Sequence, residues 1–181
     1  MTDDEAVLAC QNGDRDAFRH VVERYKDVLF GTAVLMAGNR ADAEEHVQEA
    51  LLSMWHSIDD FQRERPIKPW LMRILVNVVL SHRRKPSAPT VTLDELSDHT
   101  APVDVTESLE ASEERQVIRN ALSRLTPEHR QVVVLRYFAD LTVPEIARAI
   151  EAREGTVKSR LHRALGQMYE QLNGIEVGNG E

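Results

Sequence analysis

Lys158, Ser159, His162 and Arg163 stand at positions i, i+1, i+4 and i+5, so on a helix they share one arc. Two cations, a hydroxyl and an imidazole on such an arc can donate to base edges and phosphates in a major groove. Arg153 and Thr156, just before them, suit phosphate contacts, and Thr156 equally suits a helix cap. The spacing by itself also fits a plain solvated helix face. A second basic zone, FQRERPIKPWLMRILVNVVLSHRRK at 61–85, interleaves Phe61 and Trp70 with Lys68, Arg73, Arg83 and Arg84 and adds the amide of Asn77. Rings that stack on unpaired bases, set among cations that follow a phosphate backbone, are what single-stranded DNA binding requires. Trp70 taken alone also reads as core, because tryptophan buries most of its surface in folded proteins.

Catalytic arrangements are not found. The chain has no glycine-rich phosphate loop and no G-x-S-x-G, and its seven histidines include no H-E-x-x-H. Glu45-His46 lacks a second histidine four residues on, so His46 reads as a surface histidine. Asp59-Asp60, the adjacent carboxylates nearest the basic zone, read as a helix end. The expectation is a non-enzyme with no catalytic residue, no metal and no cofactor. The single cysteine, Cys10, allows neither an internal disulfide nor a cysteine-based zinc cluster, which suits a reducing cytoplasm. The opening MTDDEAVLAC is acidic where a secretory signal is basic. No run reaches the roughly 18 apolar residues of a membrane span, since Arg73 and Asn77 interrupt Trp70 to Leu80.

The elements that must position these residues read as helices throughout. With aromatics at 5%, 8 Gly and 7 Pro in 181 residues, there is little turn chemistry for many short strands. Thr2 and Glu5 form a T-x-x-E capping box for a short helix ending at Asn12-Gly13. Asp14 or Asp16 opens a longer one, with apolar residues from Phe18 to Met36 at helical spacing, that Gly38 stops. A third helix spans about 40–57, and a fourth runs from about Pro69 to Arg84. Beyond 106 the spacing predicts a helix near 107–124 and a second opening at Thr126-Pro127. A short third begins at the Thr142/Glu145 capping box, and a last one from Gly155 buries Val157, Leu161, Ala164, Leu165 and Met168. Two helices joined by a tight turn, the second of them basic, form a helix-turn-helix pattern.

The stretch 86–106 holds three prolines, several Ser and Thr, and no Lys or Arg, and reads as a linker. The division expected is therefore 1–85, a linker at 86–106, a second unit at 107–172 and a disordered tail at 173–181. The fold class is all-α, with two small helical domains joined by a flexible acidic linker and a helix-turn-helix in the second. The net charge of −8 is sorted along this division. Residues 62–85 carry 7 basic against 1 acidic side chain and 115–172 carry 10 against 6, while 1–61 and 86–114 are each strongly acidic. Local field rather than net charge governs anion binding, so two separated basic zones predict two contacts with a polyanion.

These residues carry a family resemblance. DAEEHVQEALLSMW at 42–55, FQRERPIKPWLMRILVN at 61–77 and LSRLTPEHRQVVVLRYFADLTVPEIARAIEAREGTVKSRLHRA at 122–164 resemble, in order, three segments of the extracytoplasmic-function (ECF) sigma factors of bacterial transcription initiation. The resemblance covers about residues 14–172. It implies that Asp42, Glu45, Gln48 and Glu49 contact core RNA polymerase, at the clamp helices of its largest subunit, with the second unit near the flap region. It implies that Phe61, Lys68, Trp70, Arg73, Asn77, Arg83 and Arg84 act at the opened minus-ten strand of promoter DNA. Arg153, Thr156, Lys158, Ser159, His162 and Arg163 then act at the minus-thirty-five element. An anti-sigma factor is the further partner implied, and the setting is cytoplasmic, without membrane insertion. The sequence departs from the family pattern in three ways: His46 replaces an aliphatic residue, a change read as peripheral, Glu151 stands where a turn glycine is frequent, and Pro66 and Pro69 bracket the loop before Trp70.

Overall fold

The computed structural model describes residues 1–83 and 108–176, so the expected linker and Arg84 lie outside the described residues, as do 177–181. Eight α-helices follow in order: α1 (Asp3–Gln11), α2 (Arg15–Ala37), α3 (Arg40–Ser57), α4 (Ile67–Arg83), α5 (Ser108–Ser123), α6 (Pro127–Val133), α7 (Val143–Ala149) and α8 (Glu154–Glu176). A 3-10 turn, Ile58–Asp60, follows α3, and α6 widens into a π-helical turn at Val134–Phe138.

Local chemistry sets most of the helix ends. At α1, the Glu5 N–H donates to Thr2 Oγ1 at 3.2 Å while the Thr2 N–H donates to the Glu5 carboxylate at 2.8 Å, satisfying two otherwise orphaned donors. Asp14 Oδ1 caps α2 by accepting from the N–H groups of Asp16 and Ala17, and Gly38 ends it in the left-handed region at φ 92°. Asn39 then caps α3. Helix α4 begins at Ile67, two residues before the expected start; Pro69 is tolerated inside it because first-turn N–H groups have no partner within the helix. Thr126 caps α6 through the His129 N–H. Helix α8 runs to Glu176, so the expected disordered tail from 173 begins inside a helix.

In the first unit α2, α3 and α4 close around Leu29, Met36, Met54, Leu71, Met72 and Leu75, with Val7 and Cys10 of α1 laid against them. Gln11 ties α1 to the far side by donating to the carbonyls of Ile58 (3.0 Å) and Phe61 (2.9 Å). In the second unit Val132, Leu135, Leu141, Ile146, Val157 and Ala164 are fully buried. The buried residues of both units belong to one continuous cluster, because α7 packs on α4 and the π-helical turn packs on α2.

Candidate nucleic-acid interface

Helices α7 and α8 meet across a turn that is built from the backbone outward. The Glu145 carboxylate accepts from the N–H and hydroxyl of Thr142, fixing the start of α7. The Ile150 N–H donates to Ile146 and the Ala152 N–H reaches back to Ala147, with Glu151 between them in the left-handed region at φ 53°. That conformation is the one a turn glycine supplies freely, so the missing glycine leaves the turn geometry intact and places its cost on Glu151. Helix α8 packs on α7, and its fully buried Val157 belongs to the same apolar cluster as Ile146 and Ala147.

This anchoring turns Lys158, Ser159, His162 and Arg163 outward as one exposed arc, with Arg153 exposed at its edge and Thr156 half-buried. Ser159 donates its hydroxyl proton to the Thr156 carbonyl at 3.0 Å, so toward a ligand it offers its lone pairs. Leu165 does not join the core as expected. It is 40% exposed, and Tyr169 one turn on is 69% exposed, because the buried stripe of α8 runs through Val157, Leu161, Ala164 and Met168.

The basic zone of the first unit divides in two. Trp70, Arg73 and Asn77, at i, i+3 and i+7, form one stripe on α4, with Arg73 and Asn77 exposed and Trp70 and Lys68 half-buried. Phe61 does not stand with them as a free ring. It is 7% exposed and packs on Trp70 with ring centroids 5.0 Å apart at 52°, so it holds the tryptophan from beneath. Arg83 closes α4, and its side chain lies outside the described residues.

Asp42, Glu45, Gln48 and Glu49 are all exposed on α3. Two of them are also occupied within the fold. Asp42 exchanges hydrogen bonds with the capping Asn39, and Glu49 Oε2 lies 2.6 Å from His82 Nε2 on α4. Leu52, 62% exposed on the same helix, was not singled out in the sequence, where it merges with the apolar Leu51; its exposure is what marks it.

His46 is not a surface residue, nor is its departure from the family pattern peripheral. It is 5% exposed, its ring meets that of His82 edge-on, and its Nδ1 has no hydrogen-bond partner. Position 46 falls on the α3 face turned toward α4, where periodicity places apolar residues. Burial, reinforced by His82, pushes its pKa below the ordinary histidine value, against a smaller opposite pull from Asp42, Glu45 and Glu49. Among the described residues no group of His, Cys, Asp and Glu is arranged to hold a metal ion.

Residues 21–88 match the family described as Sigma-70 region 2, and residues 115–168 match that described as Sigma-70, region 4. The chain is 32% identical over 183 residues to the ECF RNA polymerase sigma factor SigW of Bacillus subtilis, an alignment that covers 93% of this chain and 96% of that protein. The chain belongs to the ECF RNA polymerase sigma factors. It is also 30% identical to the ECF sigma factor SigM of Mycobacterium tuberculosis, over 98% of this chain and 88% of that protein. Two solved structures share the ECF fold. One is CnrH in complex with the cytosolic domain of CnrY, with a TM-score of 0.72 at 23% identity over 95% of this chain and 97% of that one. The other is the sigma factor RpoE of Bartonella quintana in complex with the anti-sigma factor NepR, with a TM-score of 0.69 at 24% identity over 86% of this chain and 96% of that one. The ECF sigma fold thus accounts for both helical units and for the helix-turn-helix at α7–α8. No helix among the described residues is long and apolar enough to cross a membrane.

Proposed function

We propose that this ECF sigma factor divides its work among three surfaces. The exposed α3 face (Asp42, Glu45, Gln48 and Glu49, extended by Leu52) docks on core RNA polymerase. The α4 stripe (Trp70, Arg73 and Asn77), with Lys68, Arg83 and Arg84 on phosphates, takes the opened minus-ten strand. Phe61 acts there as the support of Trp70. The α8 arc of Lys158, Ser159, His162 and Arg163 reads the minus-thirty-five duplex, with Arg153 and Thr156 at the backbone. Cations position the DNA and a few base contacts specify it, while melting draws on the binding of extruded bases rather than on bond chemistry, so the factor itself is not an enzyme.

The observation that carries this reading is the exposed arc on α8, which a buried Val157 and a left-handed turn present as a recognition helix. The working units are 1–85 and 107–172, joined by 86–106, and the factor acts in the cytoplasm. An anti-sigma factor is its regulator, a reading supported by the RpoE–NepR complex among the similar folds.

Run-off transcription with purified core polymerase on a randomised-promoter library tests the assignment. Transcripts that depend on this protein and are enriched for two sequence blocks at fixed spacing are the expected result. A specific DNA footprint by the protein alone, with no initiation, would instead make it a free-standing helix-turn-helix regulator.

A further inference from the structure

We infer that Gln11 is a positioning residue for promoter opening, which fixes from the end of α1 the loop that carries the chain from Phe61 to Trp70. The inference rests on the minus-ten role proposed for the α4 stripe that Trp70 begins. Gln11 is the last residue of α1, and its side chain crosses to the segment where the chain leaves α3. Its Nε2 amide donates to the Ile58 carbonyl at 3.0 Å and to the Phe61 carbonyl at 2.9 Å, with the Asp59 carbonyl further off at 3.5 Å. The Ile58 carbonyl also accepts from the Phe61 N–H at 3.1 Å. One side-chain amide thus commits both of its protons to the carbonyls on either side of the 3-10 turn.

That turn leads directly to the DNA-facing edge of the first unit. Phe61 lies inward against the Trp70 ring, residues 62–66 that follow are all exposed, and Ile67 is buried again at the start of α4. The loop is therefore anchored in the core at Phe61 on one side and at Ile67 on the other. A shift of the Phe61 backbone moves its ring, and with it the indole that this ring supports. A surface that is ordered before it meets the strand does not lose part of its binding free energy to becoming ordered, which is what fixing the Phe61 carbonyl achieves.

Helix α1 is held in place by other contacts. It buries Ala6, Val7 and Cys10, and its first turn is tied to α2 through Asp3, which accepts from Arg24 and, at 2.6 Å, from the Tyr25 hydroxyl. Its end is closed by backbone bonds from the N–H groups of Asn12, Gly13 and Asp14. A glutamine at a helix end keeps its rotamer freedom when it points into water, whereas this one is half-buried and ordered against the loop. The amide donors serve the loop rather than the helix that carries them.

The test uses the full chain with core polymerase on a duplex promoter recovered from the run-off selection. Gln11→Met keeps the length of the side chain and removes its donors, and Gln11→Asn keeps the amide but is one methylene short of the loop; neither changes the charge near the DNA. Anisotropy with core enzyme reads polymerase affinity, a filter-binding titration in the cold reads the closed complex, and 2-aminopurine placed in the minus-ten block reads the rate of opening. The expected result for both variants is wild-type affinity in the first two measurements and opening about tenfold slower, the scale of two lost amide hydrogen bonds. In a Trp55→Phe background, where Trp70 is the sole tryptophan, acrylamide should quench its emission more strongly once Gln11→Met is added. If Gln11→Met loses helical content by circular dichroism, Gln11→Asn decides alone. Opening at the wild-type rate, unchanged quenching of Trp70, or a loss shared equally by polymerase binding and opening would overturn the inference and leave the sigma reading in place. If the double variant Arg73→Ala with Asn77→Ala opens the promoter as fast as wild type, the minus-ten reading of α4 falls and the inference falls with it.

Discussion

His46 and His82 meet edge-on across the seam between α3 and α4, with ring centroids 4.6 Å apart at 62°, and His82 reaches on to Glu49 at 2.6 Å. One imidazole is thereby shut inside the first unit while its neighbour carries a polar contact out to the α3 face. Protonating His46 would place a cation in a buried site beside a second imidazole, with only the more distant carboxylates of Asp42, Glu45 and Glu49 to offset it.

Stability should therefore fall with acid in a defined window. The folded-state pKa of His46 lies below the unfolded value of about 6.5, so the unfolded chain takes up the proton first as pH falls. The loss begins near pH 6.5 and levels off once pH has passed below the folded value. Urea midpoints at pH 7.5 and 5.5 should differ more in the wild type than in His46→Leu. An equal pH dependence in both proteins would show that His46 is not the titrating group.

Phe61 separates a packing role from a base-stacking one. As a core ring beneath Trp70, its replacement by alanine should cost about 3–5 kcal/mol in denaturant unfolding. Asn77→Ala, on the exposed side of the same helix, should stay within about 0.5 kcal/mol of wild type. A Phe61→Ala protein of unchanged stability that fails only in promoter opening would return Phe61 to the DNA.

On α3, Glu45 and Gln48 are the polymerase-facing residues to mutate, because Asp42 serves the helix cap and Glu49 the His82 contact. Glu45→Lys with Gln48→Ala should weaken core-polymerase binding by more than about 1 kcal/mol with the unfolding midpoint unchanged. Fluorescence-anisotropy titration with core enzyme measures it, and undiminished affinity would move the docking surface off α3.

Arg163→Ala should do the reverse. It removes a donor from the α8 arc, so discrimination at one minus-thirty-five position should drop by about 1–3 kcal/mol while polymerase affinity is retained. Competition between promoter variants in a transcription assay reads this. Equal loss of polymerase binding in this variant and the α3 variant would contradict the division of surfaces.

Much of this protein was legible along the chain. Capping pairs such as Thr2/Glu5, the punctuation at Gly38 and Thr126, and the apolar periodicity of α2 are local signals, and they placed the helices to within a few residues. The α8 arc was legible for the same reason, since a helix fixes which residues share a face before anything packs against it. Three things were decided only by the tertiary structure. His46 and Phe61 look like surface and DNA-facing residues until α4 closes over one and Trp70 lies on the other, because burial depends on what another segment covers. Leu165 fits the apolar spacing of α8 yet falls just outside the strip that the second unit's core reaches. The pairing of Arg73 with Glu151, 78 residues away, has no local signature at all. Long-range contacts of that kind arise from the packing of finished helices, where shape and charge are matched across surfaces that no sequence window contains.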